Sequence, residues 1–319
     1  MVRAEIAAAA RLSSTSSPST CSPSLGGSFL LSGYGCDEQG PYLVLDQVER
    51  SPWARSVIRV RDRTFTFSRC PERRCTGRHD LATGRGAPCP EENRLDGSPH
   101  EQCGACFAAT GFNPAFYNAP QVSEQQRRRN LEPHVVYVVS FGLGALKVGM
   151  TYAPRHLSRP LEQGARLAAV IASLPNADAA RQLEEAIVRG FDVAESVRSA
   201  RKRALLSMPL SLAAARRELG DSIAAIAARH PVVREDAPIR ELDPYYLGEQ
   251  RLPSTLVDLS DTEPASISGR CLGMIGDVLV TTQGQQCYLL SIGSSLAHRV
   301  ELAEGERENR FIGQLGLPF

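Results

Sequence analysis

The pattern of apolar and polar residues is most regular in the middle of the chain. Residues 135–141 (VVYVVSF) form an unbroken apolar, β-branched run that is typical of a buried strand. Gly142 and Gly144 allow a turn, and residues 146–151 (LKVGMT) complete a predicted hairpin. A polar stretch, expected to include a short helix, then leads to a third apolar run at 168–174.

Two helices are predicted after this third strand. Asn176 is a suitable N-cap for a helix over 177–189, and a second helix is expected over 211–229. The apolar positions of both recur at helical spacing: Ala180, Leu183, Ile187 and Phe191 in the first, and Leu212, Leu219, Ile223 and Ile226 in the second. The order hairpin, short helix, strand, helix indicates a compact α/β unit.

The flanking segments are rich in β-prone runs separated by turn residues. Strands are predicted at 28–35, 42–47 and 56–67, and a small antiparallel set over 268–302 that we expect to join them in one barrel-like sheet. The fold class is therefore α+β. The predicted segments are a disordered tail (1–26), a β-rich segment (27–69), a cysteine-rich region (70–120), a linker (121–134), the α/β unit with its extra helix (135–230), a proline-rich connector (231–267), a second β-rich segment (268–302) and a tail (303–319).

Composition narrows the functional class only slightly. The formal net charge is +1, so the whole chain is no polycation, and Lys147 and Lys202 are its only lysines among many arginines. No run approaches the roughly 20 apolar residues that span a bilayer. The alanine-rich N-terminus carries Glu5 and lacks bulky apolar residues, which argues against a signal peptide. We expect a cytoplasmic protein with no membrane partner; the sequence leaves its oligomeric state open.

Five of the nine cysteines lie between residues 70 and 106, a segment with few apolar residues. Cys103 and Cys106 form a CxxC pair, which lets two thiolates reach one zinc ion, and Cys75 and Cys89 lie upstream. In a cytoplasmic chain such cysteines favour metal binding over disulfides. A structural zinc site would stabilise this loop-rich segment. The alternative ligands are Cys70, His79 and His100.

Two arginine-rich stretches suggest a surface for nucleic acid. Guanidinium groups match phosphate oxygens, so we predict that DNA or RNA is bound by seven basic residues from these stretches. They are Arg59, Arg61, Arg73, Arg74, Arg201, Lys202 and Arg203. A solvated, arginine-rich sheet face is the alternative interpretation.

The central residues resemble the GIY-YIG nuclease core, in the variants that carry K-(I/V)-G in the second motif. The features shared are the tyrosine of VYV, the KVGMT strand, an arginine just after it and a helical glutamate. With the cysteine region and the EQGA and LPN sequences, residues 70 to 205 resemble an uncharacterised bacterial and archaeal domain family, number 2797. That resemblance implies a GIY-YIG-like small antiparallel sheet, and it favours Cys75, Cys89, Cys103 and Cys106 as the zinc ligands.

The resemblance also implies catalytic roles. Tyr137 would act on the attacking water, Arg155 on the phosphate, and Glu184 would hold one magnesium or manganese ion. Lys147 stands where the family usually has its second tyrosine, and Val135 and Val136 replace Gly-Ile. On the predicted helix Glu184 flanks the apolar stripe, whereas the next residue, Glu185, points to solvent.

Two functions follow from these residues. One is a zinc-containing, metal-dependent nuclease or phosphodiesterase that acts on nucleic acid. The other is a non-catalytic, zinc-stabilised module that binds nucleic acid or protein through the same basic face.

Overall fold

The structure, a computed structural model, describes residues 25–48, 53–80, 86–110 and 124–309. Residues 1–24 of the predicted tail and 310–319 at the other end lie outside these ranges. The described strands are β1 (Gly27–Asp37), β2 (Gly40–Gln47), β3 (Ala54–Arg59), β4 (Thr64–Arg73), β5 (Arg78–His79), β6 (Gly86–Ala87), β7 (His134–Ser140), β8 (Leu146–Tyr152), β9 (Leu167–Leu174), β10 (Arg240–Glu241), β11 (Val257–Asp258), β12 (Ser266–Ile275), β13 (Val278–Gln283), β14 (Gln286–Ser291) and β15 (His298–Glu304). The described helices are α1 (Gly104–Thr110), α2 (Glu124–Leu131), α3 (Ser158–Glu162), α4 (Ala177–Gly190), α5 (Ser199–Leu206), α6 (Leu212–Ala227) and α7 (Asp243–Leu247), with 3₁₀ turns at Ala153–Arg155 and Gly293–Ser295.

The two β-rich ends of the chain form one sheet of nine strands. Its order is β11-β14-β13-β12-β4-β15-β1-β2-β3, so β4 lies between two strands from the C-terminal part. All neighbours are antiparallel except β11 and β14. The expected joining of the two ends is confirmed. Among the described strands the order is open, with β11 and β3 at its two ends, whereas a barrel-like sheet was predicted.

Alternating side chains supply the core of this large sheet. The run predicted at 56–67 is two strands, β3 and β4, separated by a turn in which Asp62 has a φ of 65°. Phe65 and Phe67 are fully buried, and Leu43 and Leu45 of β2 pack in the same cluster. The period of two along each strand places one set of side chains on the inner face.

The central residues form a four-stranded antiparallel sheet of order β10-β9-β7-β8. The predicted hairpin is β7 and β8, and Asn176 caps α4 by accepting a hydrogen bond from Ala179 N at 2.9 Å. Helices α4 and α6 bury their apolar stripes in one cluster with a face of this sheet. Leu212, predicted on the buried stripe of α6, is 37% exposed because it begins the helix beyond the edge of that cluster.

The other face of the central sheet packs towards the large sheet. Tyr137 and Val139 of β7 share a core cluster with Ile275 and Val278, the residues at the β12–β13 turn. The segment predicted as a connector contributes α7, whose Tyr246 is fully buried and donates a hydrogen bond to Ala165 O at 2.9 Å. This shared core fixes β7 beside the large sheet.

No helix in the described part of the chain is long and apolar enough to cross a membrane.

Candidate metal centre and candidate active site

Four cysteines from separate loops come together in the structure. The Sγ atoms of Cys75, Cys89, Cys103 and Cys106 all lie within 4.8 Å of one another. Backbone N–H groups of Gly77 and Cys103 point at the Cys75 sulfur, at 3.4 and 3.2 Å. Four sulfur donors in so small a volume form a cluster that could hold a metal ion, and this donor set is the one that structural zinc takes. Cys70, His79 and His100 lie outside the group.

A glycine allows the two upstream cysteine loops to approach each other. Gly77 has a φ of 82°, and a Cβ atom there would lie 2.0 Å from the carbonyl oxygen of Ala87. The loop that carries Cys75 therefore packs directly on the loop that carries Cys89. No side chain larger than hydrogen fits at residue 77 without separating them.

The large sheet holds this cysteine region through two arginines. Arg55 of β3 makes a bidentate ion pair with the fully buried Asp46, at 2.7 and 2.8 Å, and donates to Thr76 O at 2.6 Å. Arg73 of β4 donates to the carbonyl oxygens of Ser98 and His100. Both arginines place backbone next to the cysteine cluster, so their charges serve the fold locally.

Three of the four sulfurs are shielded, and the fourth borders a cavity. Cys75, Cys89 and Cys106 are at most 3% exposed, whereas Cys103 is only partly buried. A cavity of about 370 Å³ is lined by Cys103, Phe107 and Arg94 among others. Burial opposes ionisation of Cys103, but hydrogen bonds from the Cys106 backbone and Asn93 lower its pKa to about 6. Burial raises the pKa of Cys75 to about 11.

Tyr137 stands at the centre of the second group of candidate residues. It lies on β7 opposite Gly149 of β8 and is 1% exposed. Gln163, just after α3, donates from Nε2 to its hydroxyl oxygen at 3.0 Å. Burial raises the pKa of Tyr137, so its phenol is protonated at neutral pH.

Glu184 is the carboxylate that α4 brings to this edge of the sheet. It is 5% exposed and accepts from Arg181 Nη1 at 2.8 Å, while the side chain of Glu185 is 44% exposed. The helical-face argument from the sequence therefore describes these two glutamates correctly. Burial raises the pKa of Glu184, and the nearby charges of Arg181 and Lys147 oppose that rise.

Lys147 lies on β8, on the same face of the sheet as Tyr137. Its ammonium donates to Val148 O at 3.3 Å and to Glu195 O, and its strand pairs with Ala194 through an isolated bridge. Burial lowers the pKa of Lys147, and the Glu184 carboxylate opposes that shift. Glu184 is therefore near enough to act electrostatically on Tyr137 and Lys147, which brings the three residues into one neighbourhood from three different elements.

Of the two arginines that follow β8, Arg159 is the one whose charge acts on Tyr137 and Lys147. Arg155 is almost half exposed and donates to both oxygens of Glu162 at 2.6 Å. Arg159 of α3 lies close enough to Tyr137 to hydrogen-bond it, and its charge acts on Lys147. A catalytic role for Arg155 stays a prediction. The signal for Arg159 in the sequence is its spacing of four from Gln163, one helical turn.

The seven predicted nucleic-acid contacts are mostly engaged within the chain. Arg59, Arg74 and Arg203 make ion pairs with Asp37, Glu72 and Asp258, at 2.6, 2.7 and 2.8 Å. Arg61 donates to Tyr245 O at 3.1 Å, Arg73 to the two carbonyls already described, and Lys202 to Gln163 O at 2.8 Å. Arg201 is exposed and donates to Gly144 O at 2.5 Å. Binding of nucleic acid through these residues stays a prediction.

A second cavity, of about 510 Å³, lies beside β8. Its walls include Leu146 and Ala194, which flank Lys147 in space, together with Arg198, Arg201 and Glu218. The exposed arginines of the α5 region therefore line a recess next to the edge strand that carries Lys147.

Comparison with known proteins gives one match. A family described as protein of unknown function (DUF2797) matches residues 101–294, which is more than half of the chain. The chain belongs to this family. No curated protein matches it. No solved structure matches it either.

Proposed function

We propose that this member of the DUF2797 family is a metal-dependent nuclease or phosphodiesterase that acts on nucleic acid. Its central unit would work in the manner of the GIY-YIG enzymes that it resembles, and a zinc ion on Cys75, Cys89, Cys103 and Cys106 would be structural. The observation that carries the proposal is the convergence of Tyr137, Lys147 and Glu184. Three ionisable side chains of different type, from two strands and a helix, share one partly buried edge where Glu184 acts on the pKa of both Tyr137 and Lys147.

The structural role of zinc follows from its donor set. Four thiolates complete a tetrahedral shell and leave no position for a substrate. The two arginines that tie the cysteine loops to the large sheet agree with a scaffold.

Glu184 is the candidate ligand for a magnesium or manganese ion. One carboxylate suits Mg²⁺, which keeps several waters and takes substrate phosphate as a further ligand. When bound, such an ion would supply positive charge that stabilises the phosphate as its bond breaks. Glu184 would have to exchange Arg181 for the ion. Arg181 keeps two other partners, Glu185 at 2.9 Å and Glu195 at 3.0 Å, which makes this exchange less costly.

The other residues of the site would orient the attacking water and contact the phosphate. A protonated Tyr137 orients the attacking water through its hydroxyl rather than removing a proton. Oε1 of Gln163 is buried and accepts no hydrogen bond from the described residues, so it offers a second contact for that water. Lys147 supplies positive charge beside the phosphate, where the resembled enzymes have their second tyrosine, and the attacking water gives its proton to solvent.

A second candidate function is a non-catalytic module that binds nucleic acid. The ion pair between Glu184 and Arg181 favours it, because a glutamate that is permanently paired holds no metal. In this case the site has kept its fold and lost its chemistry.

Cleavage assays on two neighbouring glutamates separate these functions. The wild type is incubated with single- and double-stranded DNA and RNA in magnesium or manganese, beside Glu184→Gln and Glu185→Gln. We expect metal-dependent cleavage that Glu184→Gln abolishes and Glu185→Gln leaves nearly intact. Equal effects of the two substitutions, or no cleavage by the wild type in any combination, would contradict the enzyme.

A further inference from the structure

The only two lysines of the chain lie near enough for the charge of Lys147 to act on Lys202. Lys147 lies on β8 and Lys202 on α5, and both are only partly exposed. Every other basic side chain is an arginine or a histidine. The two lysines come from distant segments of the chain. The region around them therefore differs from the rest of the surface, which is rich in arginine.

Lys202 is connected to Tyr137 by a single residue. Its ammonium donates to the backbone oxygen of Gln163 at 2.8 Å, and the side chain of Gln163 donates to the Tyr137 hydroxyl at 3.0 Å. The ammonium also lies 4.5 Å from the centre of the Phe141 ring. Lys202 therefore belongs to the group around Tyr137, although the sequence places it among exposed arginines.

Three cations face this group, and each nearby acid is shared between one of them and a second partner. The cations are Lys147, Arg159 and Lys202, and both Lys147 and Arg159 act on Lys202. Burial lowers the pKa of Lys202, the two cations lower it further, and Asp277 opposes them. The acids facing the two lysines are Glu184, paired with Arg181; Glu195, also paired with Arg181; and Asp277, which accepts from Ser291. Glu162, beside Arg159, is shared with Arg155.

Like charges that are partly removed from water repel each other unless an anion joins them. We propose that Lys147, Arg159 and Lys202 together bind one phosphate group of the substrate beside Tyr137, with Lys202 of α5 as an additional binding residue. The inference rests on the proposed function and names its substrate contact. Ammonium groups act on phosphate as point charges, and the guanidinium adds a planar pair of donors. A phosphodiester placed here would have its phosphorus next to the water held by Tyr137 and Gln163.

Two lysines make a direct measurement simple. The full chain, labelled with ¹³C-lysine, gives two side-chain Cε resonances, which Lys147→Arg and Lys202→Arg assign. Inorganic phosphate, a nucleoside 5′-monophosphate and a short single-stranded oligonucleotide are titrated separately. We expect both resonances to shift along one saturation curve with the oligonucleotide. We also expect Lys202→Met to weaken its binding about tenfold, the loss of one charged hydrogen bond.

Arg216→Met is the matched control, because Arg216 lies on α6 and pairs with Glu241 at 2.6 Å. It should leave oligonucleotide affinity unchanged, and the melting temperature of each variant reports its folding.

A shift of the Lys147 resonance alone, or of neither lysine resonance, overturns the phosphate site. If the protein still cleaves nucleic acid when the lysine resonances do not both shift, the proposed function stands and only the phosphate site is refuted. Shifts of both lysines without any cleavage keep the phosphate site and refute the enzyme. A response to phosphate or mononucleotide but not to oligonucleotide assigns the site to small phosphate compounds and contradicts the proposed substrate.

Discussion

Gly149 faces Tyr137 across the β7–β8 pair, and a Cβ atom on residue 149 would lie 2.5 Å from the tyrosine hydroxyl oxygen. The ring of Tyr137 therefore occupies the space above the glycine. In the sequence this glycine reads as part of a KVG motif. Its physical reason in the fold is to let a buried tyrosine lie flat across the neighbouring strand.

Gly149→Ala is expected to displace Tyr137 and destabilise the central sheet. Overpacking of this kind costs about 1–3 kcal/mol in the free energy of unfolding. The control is Gly190→Ala, because residue 190 ends α4 and nothing lies within 4 Å of its built Cβ atom. Chemical denaturation of both variants measures the difference. Equal stabilities would mean that the tyrosine does not hold this position.

If the four-cysteine cluster holds zinc as proposed, Cys103→Ser is expected to remove it. A serine hydroxyl is a poor substitute for a thiolate, so bound zinc should fall from about one ion per chain to near none. Cys70→Ser is the control from the same region, since Cys70 lies on β4 outside the cluster. Metal analysis of the purified proteins by mass spectrometry reads out both. The four-cysteine zinc site would be contradicted if the Cys70 variant lost its zinc, or if the wild type contained no zinc.

Arg201 and Arg203 should differ in their contribution to nucleic-acid binding. Arg201 is exposed beside a cavity, whereas Arg203 is 14% exposed and pairs with Asp258. If Arg201 contacts a phosphate, Arg201→Gln should lower the slope of log affinity against log salt by about 0.7 to 0.9. Arg203→Gln should leave that slope unchanged. Fluorescence anisotropy over a range of salt concentrations measures it, and identical slopes in both variants would refute the distinction.

We expect Lys147 to lower the stability of the folded protein at neutral pH. This effect should disappear at alkaline pH, where the lysine is uncharged in both the folded and the unfolded state. Burial holds its folded-state pKa below the unfolded value of 10.5. Because the unfolded chain then binds the proton more tightly, this contribution to stability rises with pH between the two pKa values. Its charged neighbours are Glu184, Arg159, Glu195 and Arg181. The unfolding free energies of wild type and Lys147→Met should therefore converge as the pH approaches 10.5. A constant difference would show that the pKa of Lys147 is the same in both states.

The parts of the fold that depend on local sequence were predictable. Asn176 caps α4 as expected, since capping needs only a side-chain oxygen next to the first turn. The exposure of Glu184 and Glu185 follows from helical geometry alone. Which cysteines cluster was left open by their spacing, because only the fold shows that Cys70, on β4, lies outside the group.

The parts that depend on packing between distant segments were not predictable. Arg159 lies beside Tyr137, because the short helix α3 presents it there. Lys202 reaches the same group through the docking of α5, and nothing in its neighbours Arg201 and Arg203 indicates this. Three of the seven predicted basic residues are held in ion pairs, and the acidic partners of Arg59 and Arg203 lie 22 and 55 residues away in sequence. No local pattern records such pairings.

The position of β4 has a consequence for the order in which the protein folds. Both neighbours of β4, namely β12 and β15, are synthesised after the cysteine region and the central unit. The strands of the central sheet and the helices packed on one face of it all come from residues 134–241, so they can form while β4 still has two unpaired edges. The unpaired backbone groups at the edges of a strand can pair with another chain, which leads to aggregation. The most vulnerable stage of biogenesis is therefore the interval between emergence of β4 and completion of β15.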